Sequence, residues 1–451
     1  MPHLVYLTAG AAGMFCGSCM HDNTLAKAML SEGWDVTLVP TYTPIRTDED
    51  DQSVDHVFFG GINVFLQQKI PLFRHLPGFM DRWLDQPWLI RRVTAKAADT
   101  SPKFLGELAV SMLKGKHGFQ RKEVRRLLDW LKREIKPDVI VLSNVLIGGC
   151  AEDLQRELGV PVIGTLQGDD IFLESLPEPF KGQAIQLAGK VANQCDALIS
   201  HSNYYAEFMS GYLGVPIDRI NVTPLGIELK ELLHIQRQPK SPEDDFTIGY
   251  LARIAPEKGV QHLIDAFVQL KQLPNTTNVR LSVAGWLGEH RKAWFAQQWQ
   301  KISDARLEAF ADFAGTINRH QKVDFLSSID LLCVPTEYHE PKGLFALEAM
   351  AAGIPVVVPN HGAFPEMLSS TGGGRLCQPA VPGSQPASNP QFGIAQVPSE
   401  GIGSLVSVLA ALSADPSVCQ EMGSAARQAV AAQRSAAVMA KQTIQLLQKY
   451  M

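Results

Sequence analysis

Long apolar runs are missing from this chain of 451 residues: none approaches the roughly 18 residues that a membrane-spanning helix requires. Cysteine is scarce, with 7 residues that are odd in number and scattered, which is no disulfide framework and favours a reducing, cytoplasmic setting. Charge is modest at 19% of residues, against 45% apolar, so the composition is that of a folded globular protein and not of a disordered one. The opening "MPHLVYLTAG" has no basic stretch ahead of its apolar run, which therefore reads as a buried strand rather than a signal peptide. No cluster of His, Cys, Asp or Glu has metal-ligand spacing, and "GDD" at Gly168 to Asp170 is not read as one.

The length is too great for one ordinary core, so two domains are expected. Apolar β-rich runs alternate with helical segments: "HLVYLT", "DVTLVP", "DVIVLS", "PVIGTL" and "CDALISHS" in the first half, "FTIGYLA", "VRLSVAG", "LLCVPT" and "PVVVPN" in the second. That rhythm predicts two doubly wound α/β domains with parallel sheets. We place an N-terminal domain at 1–228, with an insertion at about 48–118, and a C-terminal domain at 229–432. A last amphipathic helix at 433–451 is expected to cross back to the N-domain. A helix is expected from about Asn23 to Glu32, stopped by Gly33, and "QPAVPGSQPASNPQFG" reads as a long surface loop.

The net charge of −5 conceals a basic stretch: from Lys69 to Lys136 there are 16 Lys and Arg against 7 Asp and Glu, interrupted by Phe73, Phe79, Trp83, Trp88 and Phe104. Two readings stay open, a set of solvated helices or a surface that meets anionic lipid or an anionic acceptor. Nothing in it asks for nucleic acid.

"YHEPKGLFALEAMAAGIPVVVPNHGAFPE" carries the most chemistry. "PKGL" reads as a turn into a helix whose first backbone N–H groups, at Lys342, Gly343 and Leu344, favour an anion. Glu348, about a turn further in, can accept a pair of hydrogen bonds from a diol, and Glu340, ahead of the turn, can do the same for sugar hydroxyls. In "GYLARIAPEKGVQHLIDAF", Arg253 and Lys258 follow a strand's carboxyl end, where two cations can hold a diphosphate. Taken together, these residues describe a site for a nucleotide-diphosphate sugar.

Glu340-x7-Glu348, the R-x4-KG of Arg253 and Lys258, and "GAFPE" resemble the donor domain of the retaining GT-B glycosyltransferases of family GT4. The resemblance covers most of the chain and is strongest from Phe246 to Glu366. It implies two Rossmann-like domains facing a cleft, with the acceptor on the N-domain and the nucleotide sugar on the C-domain. Arg253 and Lys258 would contact the diphosphate, Glu348 the ribose, Glu340 the transferred hexose, and Thr316 and Ile317 in "FAGTIN" the base. Retention at the anomeric carbon and independence of metal or other cofactor are also implied.

In "AAGMFCGSCMHDN" the pair Cys16 and Cys19 invites a redox reading, but no thioredoxin-like pattern surrounds it. By the resemblance, Gly17 lies in the glycine-rich loop that serves the cleft. One departure is notable: where the family has a His in T-x-H, this chain has "GTLQGDDIF", with Gln167 in that place. Asp169 and Asp170 follow and can bind or deprotonate an acceptor hydroxyl, or simply start a helix; His201 is a further acceptor-side candidate. The acceptor stays open among carbohydrate, lipid-linked and small molecules, with a peripheral place at the inner face of a membrane if it is lipid-linked. Rival readings are a sugar epimerase on the same fold and a non-catalytic nucleotide-sugar-binding protein. Slow hydrolysis of a nucleotide sugar separates an enzyme from the latter.

Overall fold

β1 (His3–Thr8) is buried along nearly its whole length and pairs in parallel with β2 (Asp35–Pro40) on one side and β3 (Val139–Leu142) on the other. β4 (Val162–Thr165), β5 (Ala197–Ser200) and β6 (Ile220–Val222) extend the sheet in the order β2-β1-β3-β4-β5-β6, every pair parallel. Fully apolar runs such as Val139–Leu142 fit a strand that is covered on both faces. The structure, a computed structural model, describes residues 1–10, 17–54, 57–58, 67–68, 102–238, 240–274, 276–378 and 402–451.

The chain forms two units, one of Met1–Gly226 with Ala436–Met451, the other of Ile227–Ser435. In the first, the helix Gly17–Ser31 packs on β1 and β2 and is itself covered by the terminal helix Ala436–Leu447. The helix starts six residues earlier than "Asn23" foretold. Burial of Cys19, Asp22 and Asn23 holds its first turns against the unit. Gly33, at φ +87°, follows its end as expected. Helices Pro102–Leu113, Arg121–Trp130, Ala151–Leu158, Phe180–Gln194 and Asn203–Leu213 add to the covering, around a core that includes Leu7, Leu142, Leu154, Leu198 and Tyr205.

The second unit repeats the plan. β7 (Phe246–Leu251), β8 (Val279–Ala284), β9 (Ala311–Gly315), β10 (Leu331–Cys333), β11 (Val356–Pro359) and β12 (Gly374–Cys377) form a parallel sheet in the order β12-β11-β10-β7-β8-β9. Flanking helices include Val260–Leu270, Lys292–Asp304, Arg319–Ser328, Leu344–Ala351, Phe364–Thr371, Ile402–Ala414 and Pro416–Gln433. Among the described residues no single helix is long and apolar enough to cross a membrane.

Both sheets are thus doubly wound, and each has a switch point where strand order reverses: between β1 and β3 in the first, between β7 and β10 in the second. Loops leaving the carboxyl ends of such neighbours diverge and leave a crevice, the usual ligand position in this architecture. The surface-loop expectation for 378–393 falls almost wholly outside the described residues, as does the basic stretch between residues 69 and 101.

Candidate functional site

In the second unit, the crevice at β7 and β10 is built by a close backbone approach. Gly259, at φ +76°, caps the helix Val260–Leu270, and a Cβ there would lie 1.8 Å from the Pro335 carbonyl oxygen, just past β10. That contact brings Lys258 to the loop that follows β10. Lys258 Nζ lies 2.9 Å from Glu340 Oε2, also donates to the Tyr338 hydroxyl, and stands 4.7 Å from the Tyr338 ring centre. The Tyr338 hydroxyl donates to the same Oε2 at 2.7 Å, and the Gly343 N–H donates to Oε1 at 3.2 Å.

Glu340 is only 5% exposed. Burial would push its carboxyl up, but the Lys258 charge, the Tyr338 and Lys258 hydrogen bonds and the Gly343 N–H together bring it to about 2. Gly362, at φ +64°, presses on it from behind: a Cβ would lie 2.6 Å from the Glu340 nitrogen, and the next N–H, Ala363, donates to the Glu340 carbonyl at 2.8 Å. His361 beside it donates from Nε2 to the Thr336 carbonyl at 3.1 Å; burial and the neighbouring His339 hold its imidazole down at about 4.

This geometry corrects the reading of the helix start. The Gly343 N–H was expected to face a bound anion; it is taken by the chain's own carboxylate, Glu340. Gly343 itself is the left-handed cap of Leu344–Ala351, with Lys342 buried before it and Leu344 half-buried after it.

Glu348 lies in the same helix, 7% exposed, with Oε1 2.6 Å from Lys322 Nζ; Oε2 has no hydrogen-bond partner among the described residues. Lys322 belongs to the helix Arg319–Ser328, whose start is fixed by a reciprocal cap between Asn318 and Gln321. Thr316 and Ile317 immediately precede that cap, exposed and half-exposed, so the residues assigned to base and ribose share one neighbourhood. Arg253, by contrast, does not join Lys258. Its Nη2 pairs with Glu257 Oε1 at 2.8 Å, and Glu257 Oε2 takes Arg291 Nη1 at 3.0 Å. Lys322 and Arg291 were not found from the sequence. For Lys322, the sole signal was its position one turn past the Asn cap of "TINRHQK"; for Arg291 there was none.

In the first unit, the β1–β3 crevice holds a buried carboxylate that sequence reasoning missed. Asp22, fully buried, accepts from Thr8 Oγ1 at 2.7 Å, Ser143 Oγ at 2.6 Å, the Tyr6 hydroxyl at 3.0 Å and Gln167 Nε2 at 3.0 Å, with the His21 ring at 3.1 Å. Burial would raise its pKa, yet His21 and the hydroxyl donors hold it below the ordinary carboxylate value. The available signal was a set of polar residues, Tyr6, Thr8 and Ser143, at or near strand ends of an otherwise apolar sheet.

Gln167 therefore does not present its amide N–H groups to a sugar: Nε2 is spent on Asp22 and on the Ser143 carbonyl at 2.8 Å. Asp169 is likewise enclosed, with Oδ1 accepting from Val145 N at 3.0 Å and Oδ2 from Gln167 N at 2.9 Å. Burial, only partly opposed by these N–H groups and reinforced by Asp170, pushes its carboxyl up to about 6. It and Asp170 occupy the first turn of the helix Asp169–Glu174 and are not its cap, which is Gly168 at φ +100°. Asp170 accepts from the Tyr205 hydroxyl at 2.5 Å, and burial raises its pKa too. His201 donates from Nδ1 to the Thr223 carbonyl at 2.9 Å, and its ring centre is 4.4 Å from that of His21. Gly17 opens the helix that carries Asp22, and Cys19 is buried in that helix; Cys16 lies outside the described residues. No group of three or more His, Cys, Asp or Glu among the described residues is arranged to hold a metal ion.

Two family models match the sequence, a glycosyl transferase 4-like domain over residues 23–226 and glycosyl transferases group 1 over residues 234–384. A glycogen synthase of Mycobacterium tuberculosis is 27% identical over 293 residues, 64% of this chain and 68% of that protein. A D-inositol 3-phosphate glycosyltransferase of Stackebrandtia nassauensis is 28% identical over 235 residues, 48% of this chain and 52% of the relative. Among solved structures, the sucrose-phosphate synthase of Thermosynechococcus elongatus superposes with a TM-score of 0.67 at 16% identity, covering 100% of this chain and 99% of that one. Anabaena HepE, solved in complex with UDP and glucose, gives 0.66 at 16% identity with both chains fully covered. These likenesses show the same fold of two parallel six-stranded sheets.

Proposed function

The chain belongs to the group 1 glycosyl transferases and is a GT4-type glycosyltransferase of GT-B fold; from that premise we propose that it moves a hexose from a UDP- or GDP-linked donor to an acceptor hydroxyl, with retention and without a metal. The observation that carries the reading is the buried, ionised Glu340 clamped between Lys258 and the Gly343 N–H at the switch point of the second sheet. HepE, which was solved with UDP and glucose, lends support from the same fold.

Lys258 spends two of its three N–H donors on Glu340 and Tyr338, which leaves one for a phosphate oxygen of the donor. Arg253 is exposed and exchanges Glu257 for the diphosphate, while Arg291 remains on Glu257. These charges, fixed before the reaction, stabilise the diphosphate as the bond from the anomeric carbon to its oxygen breaks. Glu348 Oε2 accepts from a ribose hydroxyl, with Lys322 holding the other oxygen in place. The acceptor oxygen bonds to the same face of the anomeric carbon, and its proton passes to the leaving phosphate oxygen. No protein base is needed, which accords with an Asp169 whose oxygens are both committed to backbone N–H groups.

The test is donor binding and turnover with UDP-, GDP- and ADP-sugars. One of these should raise the melting temperature and release nucleoside diphosphate slowly into water. Glu348→Gln should weaken that donor by about 10-fold or more, since losing a charge-assisted hydrogen bond costs about 1.5–3 kcal/mol. An unchanged affinity in Glu348→Gln, or no response to any nucleotide sugar, would sink the assignment.

A further inference from the structure

The second unit has a cavity of about 270 Å³ on the edge of its sheet opposite to Lys258 and Glu340. It meets the sheet where the strands begin: Phe246 opens β7, Asp330 precedes β10 and Pro355 precedes β11. A six-residue strand spans about 20 Å, so the length of the sheet separates this cavity from the catalytic candidates. One wall is a face of the helix Pro416–Gln433, presenting Gln420, Ser424 and Arg427 on successive turns. The other is the segment entering β7, with Arg237 and Lys240.

The charges do not balance. Arg237 Nη2 and Lys240 Nζ share one carboxylate, Asp330, at 3.1 and 2.6 Å. Arg427 donates to the carbonyls of Leu233 and Ile235 and has no ion pair among the described residues. Three cations therefore face one anion in a concave, partly buried place. Tying the segment 233–240 to its surroundings explains hydrogen-bond donors at these positions, since neutral amides would serve equally. It does not explain the excess charge: Lys240 also donates to the Asp245 carbonyl at 2.7 Å, a bond that a neutral donor could make, and Asp330 already accepts from Arg237 and from Thr247 N at 2.8 Å.

We propose that this cavity binds a small phosphate monoester, its phosphate against Arg237, Lys240 and Arg427 and its hydroxyl-bearing remainder against Gln420 and Ser424. A phosphate monoester carries about −1.5 to −2 at pH 7, matching the surplus of two positive charges. The volume lies just under the range of about 300–1,000 Å³ for drug-sized ligands, which suits a triose- to hexose-sized phosphate.

Calorimetry on the full chain tests this, with glycerol 3-phosphate and ribose 5-phosphate as probes and inorganic phosphate as the comparison. At least one ester should saturate and bind about ten-fold more tightly than inorganic phosphate. Ser424→Glu, an exposed change that leaves all three cations and their hydrogen bonds in place, should weaken it ten-fold or more with an unchanged melting temperature. Lys240→Met should also weaken it ten-fold or more, with some loss of stability because its pair with the buried Asp330 goes too, and Arg253→Met, on the opposite edge, should not weaken it. The proposal is overturned if no ester saturates or if inorganic phosphate binds as tightly. It is equally overturned if Ser424→Glu leaves affinity intact, or if Arg253→Met abolishes it.

Discussion

Glu340 and Asp169 are both buried carboxylates, yet their partners set them on opposite sides of the ordinary value. Glu340 goes down to about 2 from an unfolded value of 4.5, so its contribution to stability is complete above about pH 4.5 and is lost as pH falls towards 2. Lys258→Met removes the charge that opposes burial. The variant should be less stable by about 3–5 kcal/mol at pH 7, roughly 10 °C in melting temperature. Above pH 4.5 the unfolded chain ionises this group more readily than the folded variant does, so the deficit should shrink as the medium is acidified to pH 3. A deficit independent of pH, in thermal melts from pH 3 to 8, would mean that Glu340 is not the group affected. Asp169 goes up from 3.8 to about 6, so between those values the folded chain keeps a proton that the unfolded chain gives up, and stability from this group falls as pH rises through that window. Asp169→Asn keeps one acceptor oxygen and turns an NH₂ towards the second backbone N–H. It should cost about 1–3 kcal/mol in stability while leaving turnover of the folded enzyme within a few-fold. A loss of a thousand-fold in turnover with normal stability would restore it as a base. At this scale the sequence was legible where a motif has a fixed spacing: Lys258 of R-x4-KG and Glu340 of Glu-x7-Glu lie together, whereas Arg253 of the same R-x4-KG pairs with Glu257 instead. Asp22 was not legible, because apart from its neighbour His21 its partners come from three separated places, Tyr6 and Thr8 on β1, Ser143 after β3 and Gln167 after β4, and no local pattern records them.

Among the elements, the strands with four or more consecutive apolar residues, such as those of Val139–Leu142 and Val356–Pro359, could be read directly from composition. β12 could not, since "GRLC" is short and its first residue is the last of three consecutive glycines, 372–374. One of them, Gly374, is required because a Cβ would lie 2.1 Å from the Val356 carbonyl oxygen. β9 was hidden for another reason: "ADFAG" is only partly buried, so no apolar run marks it. Gly259 was legible as a helix start, but its tight contact with Pro335 was not. Gly259→Ala should force the helix Val260–Leu270 away from the loop after β10 and add left-handed strain, for a loss on the order of 3 kcal/mol or more. The Lys258–Glu340 pair should loosen with it, visible as faster hydrogen exchange at Tyr338 to Leu344. Unchanged exchange there would show that the backbone contact does not set the pair's geometry.

For the molecule as a whole, the two doubly wound units were foreseen from the alternation of strands and helices, and so was a terminal helix returning to the first of them. That helix, Ala436–Leu447, buries Met439, Leu446 and Leu447, each worth about 1.5–3 kcal/mol. The sum rivals the 5–15 kcal/mol that holds a typical domain together. A chain ending at Ser435 should therefore unfold in two steps, the first unit melting well below the second. Calorimetry should resolve the two transitions, and a single transition at the original temperature would deny the helix that role.

The same connection sets an order of events during synthesis. The 209 residues from 227 to 435 are translated between the body of the first unit and the helix that covers Gly17–Ser31. At about 5–20 residues per second this takes roughly 10–40 s. The unit made first is thus finished last, and for that interval on the ribosome its uncovered helix face is open to chaperones and to neighbouring nascent chains.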